Sequence, residues 1–236
     1  MRAAAQKAIE LDPLLPEAHE ALAMAYARDA QWRKSEESFR RSLELDSNRS
    51  ETRYHFAVYL LWPLDRMDEA LEELRQAEKA DPLSPVLQWT FAYMLPSAGR
   101  YEEAAHHAEL ARNASLLGRA RFLDGKTTET IRNLEKEFDA GEGRLPRAEV
   151  RGYLGFAYAR TGRREEAERL AVDTTPFVQA VIFAGLGDRE RAIEAMERST
   201  AAGPFRVGRQ LTWPELALIR NDPRMKALRK KLGLPE

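Results

Sequence analysis

Along most of the chain, apolar and polar positions alternate at intervals of three and four, the spacing of amphipathic helices packed on one face. Leu22, Ala23 and Tyr26 share one such face, Trp32 marks a turn, and Phe39 and Ser42 share the next face. The arrangement returns as Phe56, Ala57 and Leu60 followed by Met67, Ala70, Leu74 and Ala77. It returns again as Phe91, Ala92 and Leu95 followed by Tyr101, Ala104, Ala108 and Ala111. Three predicted helices end alike, at Leu11-Asp12-Pro13, Leu45-Asp46-Ser47 and Ala80-Asp81-Pro82, with the aspartates 34 and 35 residues apart. A period of that length, holding two helices and a short turn, is the signature of a repeat array. Large side chains fill the space between helices, and Ala23, Ala57 and Ala92 let helices approach closely. Pro16 and Pro85 suit a first helical turn, where a missing N–H costs nothing. Gly99, Gly162 and Gly187 fall where a helix must reverse through a positive φ.

With these residues in view, the chain resembles the tetratricopeptide repeat family. The likeness rests on Leu22-Ala23-x-x-Tyr26 and Leu154-Gly155-x-x-Tyr158. It rests also on three turn-and-helix motifs that begin at Gly99-Arg100-Tyr101, Gly162-Arg163-Arg164 and Gly187-Asp188-Arg189. It implies an all-α fold: a right-handed superhelical solenoid of antiparallel helix pairs closed by a C-terminal capping segment. The expected organisation is regular repeats over 1–112, the first reduced to its second helix, then a degenerate repeat and hinge over 113–146. Shorter repeats follow over 147–203 and a capping tail over 204–236. Gly141-Glu142-Gly143 is the candidate hinge. A chain that begins inside a repeat is expected to be a piece of a longer protein. The tail, with Trp213-Pro214-Glu215-Leu216 and Asn221-Asp222-Pro223-Arg224, is similar to segments that close repeat regions in bacterial signalling proteins.

Composition narrows the function classes. Lys and Arg number 37 against 38 Asp and Glu, so net charge is -1 and no bulk field draws a nucleic acid or an anionic membrane. Cysteine is absent, which removes disulfides and thiolate metal sites. No apolar run reaches the ~18–20 residues of a membrane span, so a cytoplasmic location is expected. Phosphate loops, nucleophile elbows and His-Glu-x-x-His motifs are all missing, so no catalytic, cofactor or metal site is expected. His106 and His107 point about 100° apart on a helix and cannot jointly chelate, so both read as solvated. The basic residues Arg112, Arg119 and Arg121, and Lys226 to Lys231, also read as solvated helix faces, with no aromatic interleaving to suggest nucleic acid.

The family resemblance places first helices on a concave surface, and helical spacing puts Tyr54, Val58 and Trp62, then Trp89 and Tyr93, and further on Phe156, along that wall. Aromatics of this kind dominate binding energy at interfaces. They make a partner peptide or helix the expected ligand, an apolar, aromatic or Pro-rich one, because Glu20, Met24, Tyr54 and Val58 stand where a carboxylate clamp would need Lys, Arg and Asn. Two other readings stay open. In one, the wall is covered by the chain's own tail through Trp213, Leu216 and Ile219, or by a second copy in a homo-oligomer. In the other, the domain senses a small molecule in a pocket. Pro63 and Pro96 make the ends of two of these helices irregular, so the face assignment weakens beyond Leu61 and Leu95.

Overall fold

The helices start and stop where the punctuation places them. The computed structural model describes residues 1–140 and 147–235 and is all-helical. A lone α1 (Arg2–Leu11) is followed by the pairs α2 (Pro16–Arg28) with α3 (Trp32–Leu45), α4 (Ser50–Phe56) with α5 (Met67–Glu78), and α6 (Pro85–Met94) with α7 (Tyr101–Leu110). Then come α8 (Ala114–Leu123) with α9 (Thr127–Ala140), α10 (Arg147–Arg160) with α11 (Arg164–Ala171), and α12 (Pro176–Gly185) with α13 (Arg189–Arg198). The tail adds α14 (Pro204–Leu211), a 3-10 turn over Pro214–Leu216, and α15 (Pro223–Lys231). Gly99, Gly162 and Gly187 take the positive φ their turns require. Gly125, between α8 and α9, does the same at φ 87°, so residues 114–140 form a helix pair. The candidate hinge at Gly141–Gly143 lies outside the described residues.

The chain divides into two compact units: Met1–Leu87 with Ala202–Thr212 and Arg229–Glu236, and Gln88–Ala201 with Trp213–Leu228. In the first unit, small residues govern the spacing of α2 and α3. Ala23 and Ala27 are fully buried on α2, and α3 answers with Ser35, Ser38 and Ser42 at intervals of three and four. A buried hydroxyl needs a partner. Ser35 Oγ donates to the Ala23 carbonyl at 2.8 Å and Ser42 Oγ to that of Pro16 at 2.9 Å. These serines are thus close-approach positions that also clasp the neighbouring helix. Phe39 then stacks on Phe56 at 5.2 Å, carrying the core into the next pair.

One irregularity matters for the site. Beyond Phe56 the α4 helix widens to a π turn over Ala57–Leu61, and the Trp62 N–H donates to the Ala57 carbonyl at 2.9 Å. Each π turn holds one extra residue and so rotates everything after it relative to an α-helical register. Ahead of Pro96, α6 tightens instead into a 3-10 turn over Leu95–Ala98.

In the second unit, the Leu-Gly-x-x-Tyr motif shows why a glycine is needed. A Cβ on Gly155 would stand 2.6 Å from two Ile182 side-chain carbons, so α10 and α12 meet only because Gly155 has none. Tyr158 donates its hydroxyl to Glu135 at 2.8 Å and carries the Arg163 guanidinium over its ring at 3.9 Å. Burial and the Glu135 carboxylate push that phenol up to about 12.

Two alanine substitutions on α10 separate these effects. Gly155→Ala should lower unfolding stability by about 1–3 kcal/mol through overpacking. Gly152→Ala places its Cβ 3.6 Å from Val178, an ordinary contact, and should be neutral or stabilising by up to about 1 kcal/mol from helix propensity. Urea midpoints measure both, and equal effects at the two glycines would refute the close-approach account.

Candidate functional site

The residues expected on the first helices fall in two units and fare differently. Trp62 is 1% and Val58 6% exposed. The π turn carries Trp62 inward, where its indole N–H donates to Thr212 Oγ1 at 2.9 Å and Arg209 lies over the ring at 5.1 Å. Both partners belong to the tail, at the end of α14. Tyr54 is half-buried and begins a chain of ring contacts through His55 and Tyr59 to Phe205 of α14. Gly208 permits the approach of α14, since a Cβ there would meet the Pro63 carbonyl oxygen at 2.8 Å. In the first unit, then, Val58 and Trp62 are core residues, and Tyr54 keeps a partial surface.

In the second unit Trp89 and Tyr93 lie one helical turn apart on α6 and stack nearly parallel, centroids 4.9 Å apart, both half-buried. Trp213 of the tail meets Tyr93 edge-on at 5.4 Å, stacks on Tyr153 at 5.8 Å and meets Phe177 edge-on at 4.8 Å. Over its other side lies Arg119, 4.1 Å from the ring centre. Arg119 grips Glu215 through two bonds, Nε to Oε1 at 2.6 Å and Nη2 to Oε2 at 2.9 Å, and both side chains are 2% exposed. A third bond runs from Nη1 to the Tyr93 carbonyl at 3.2 Å. Arg119 is therefore no solvated surface residue. Burial depresses the guanidinium's affinity for its proton, and the Glu215 charge more than restores it. Phe156 stands apart from this cluster, edge-on to Phe122 at 6.2 Å, in a cleft discussed below.

Histidines take part in two further polar groups. His107 is buried, stacks on Phe91 at 4.5 Å and pairs with Gln88, while His106 is exposed. His107 is a core residue, corrected from the solvated reading by a partner 19 positions away. Glu20, Glu51 and His55 each bring a ligating atom within 4.8 Å of the others. The Glu20 oxygens are already engaged, however: Thr52 donates at 2.6 Å, Arg49 at 3.3 Å, and His55 Nδ1 lies 2.6 Å away. A guanidinium on the shared carboxylate opposes a cation, and the group reads as an interhelical polar clasp. Burial pushes the Glu20 carboxyl up, but the bonds from His55, Thr52 and Arg49 outweigh it and hold it below the usual range.

With this geometry in hand, comparison with known proteins gives the class. Two family models described as tetratricopeptide repeat match residues 18–52 and 51–82, near the N-terminus. Repeats of this kind are generally protein-interaction scaffolds, and neither match is to a catalytic family. A solved structure of Pseudomonas aeruginosa pilF is similar over 83% of this chain and 95% of its own, at 16% identity and TM-score 0.54. That likeness shows the same all-helical, paired architecture. A looser one, TM-score 0.44 and 16% identity, joins 97% of this chain to 38% of a chain in the structure of Naa15/Naa10 bound to HypK-THB. No curated protein sequence matches. Among the described residues, no helix is long and apolar enough to cross a membrane.

Two predictions follow from the charges. Glu215→Gln should cost about 3–5 kcal/mol by leaving Arg119 buried without its counter-charge, and pairing Arg119→Met with Glu215→Leu should recover most of that loss; a double-mutant cycle in urea measures both. Glu20, with its folded pKa depressed, contributes stability that is complete above its unfolded value and is lost as pH falls below about 4.3. Acid titration of unfolding stability should therefore be shallower in Glu20→Gln than in the parent across that window.

Proposed function

We propose that this chain is a protein-interaction scaffold that captures a peptide or helix on aromatic residues of its first helices, with Trp89 and Tyr93 at the centre. The observation that carries the reading is the stacked, half-buried Trp89–Tyr93 pair on α6. Aromatic pairs of this kind supply large contact area at little entropic cost and are the residue types that concentrate binding energy. Tyr54 and Phe156 are further partly exposed aromatics on first helices. The likeness of the tail to closing segments of bacterial signalling proteins supports a place in a larger regulatory protein of that kind.

One observation favours a second reading beside the first. Trp213 rests against Tyr93, and Pro214-Glu215 follow it as a short turn locked by Arg119. The segment Trp213-Pro214-Glu215-Leu216 is thus an aromatic and proline-bearing ligand supplied by the chain itself. In this reading the wall serves self-association, with the tail of one copy seated on another.

Peptide-library panning of the full chain beside a Trp89→Ala, Tyr93→Ala double variant tests the first reading, once circular dichroism has shown both to be folded. The parent should enrich a shared aromatic or Pro-rich motif that the variant loses, on the order of 2 kcal/mol or more per hot-spot ring. Enrichment that survives the double change, or none at all, defeats it. Light scattering decides the second: a dimer that dissociates in Trp213→Ala supports tail exchange, and a monomer at high concentration ends it.

A further inference from the structure

We infer that the cleft around Phe122 and Phe156 is a binding site for an apolar carboxylate, an aryl or branched alkyl group joined to one carboxylate. The cleft has a volume of about 490 Å³ and is lined by helices α8, α9, α10 and α12 and by the tail, within the ~300–1,000 Å³ range of small-ligand sites. Phe122 and Phe156 form one wall, edge-on to each other at 6.2 Å, and Ala184, Pro214 and Leu218 extend the apolar lining. An L-shaped aromatic corner of this kind accepts a flat ring or a branched alkyl group against one face and the edge of the other.

The charge at the mouth selects the ligand's other end. Arg160, the last residue of α10, lines the cleft and is exposed. Elsewhere in the same unit Arg119, Arg163, Arg189, Arg191 and Arg224 are each tied to Asp or Glu. Arg160 takes part in no ion pair or hydrogen bond among the described residues. The one acidic group in the lining, Glu215, has both oxygens bound to Arg119 and is turned away from solvent at 2% exposure, so it does not cancel the Arg160 charge. What remains is an apolar corner beside one uncommitted fork of N–H donors, which matches a carboxylate in two-point geometry. The aromatic corner is also held in place. Gly185 on α12 lies against Phe156, where a Cβ would stand 2.8 Å from the ring. The inference stands on this cleft alone and holds whether or not a protein is captured on Trp89 and Tyr93.

Two sources of the same chemistry, a free acid and a peptide chain end, are separated by calorimetric titration of the full chain. The probes are 4-phenylbutyrate, its amide, and a pentapeptide ending in phenylalanine with a free or an amidated C-terminus. Saturable binding of either acid, with its amide at least about tenfold weaker, is expected, because the amide cannot form the charge-assisted pair with Arg160. Arg160→Gln should erase the preference for acid over amide while leaving the melting temperature unchanged, since the side chain is exposed. Phe156→Leu should weaken acid and amide together. Binding of phenylbutyrate alone assigns a free acid as ligand, and binding of the free-ended peptide alone assigns a chain end. No saturation by any probe into the millimolar range, equal binding of acid and amide, or an Arg160→Gln variant that still prefers the acid overturns the site.

Discussion

An arginine side chain keeps its proton inside a protein, so burying Arg119 obliges the fold to bring a carboxylate to it. That carboxylate is Glu215, 96 residues away along the chain. The pair is expensive to desolvate and would be a poor source of net stability beside a packed apolar contact. Its value is positional. Trp213, Leu216 and Ile219 are all nearly fully buried, and apolar contact alone would tolerate a tail that slid along the helices. A two-point bond admits one register. Once Glu215 is fixed, Trp213 must stand under the Arg119 guanidinium and against Tyr93, Tyr153 and Phe177.

Small residues impose the same kind of discipline on the helix pairs. Gly155 brings α10 onto α12, and Ser35 and Ser42 bring α3 onto α2 while their hydroxyls hold backbone carbonyls of the partner helix. Gly185 closes the series by seating the Phe156 ring. Each is a position where the helix pair sets the site: spacing determined by a missing or short side chain decides which aromatic faces solvent and which is covered.

These local rules explain what could be read from the chain and what could not. Helix pairing, the glycine turns, the proline starts and the 34- and 35-residue spacing depend on neighbours within one or two turns, and the helices fall accordingly. Trp62 is not legible as a core residue because Thr212, which takes its indole N–H, lies 150 positions away along the chain. The burial of Arg119 and His107 is not legible because their partners, Glu215 and Gln88, are distant in sequence. Nothing within a helical turn of a charged residue records that a far segment will cover it. The apolar anchors Trp213, Leu216 and Ile219 are legible in the sequence, but not their register, which rests on that one long-range charge.

On the proposed reading, the tail contact at Tyr93 also sets the terms for any ligand that engages Trp89 and Tyr93. An internal segment is present at an effective concentration in the millimolar range when its linker is short and its geometry allows docking. The apparent dissociation constant of an outside ligand rises by the reciprocal of the fraction of molecules in which the wall is open. Trp213 shares only Tyr93 with the Trp89–Tyr93 pair, through an edge contact. On that reading a ligand that engages Trp89 first meets less competition than one that must begin at Tyr93. Order of engagement, rather than total apolar area, is then what separates a segment that displaces the tail from one that the tail excludes.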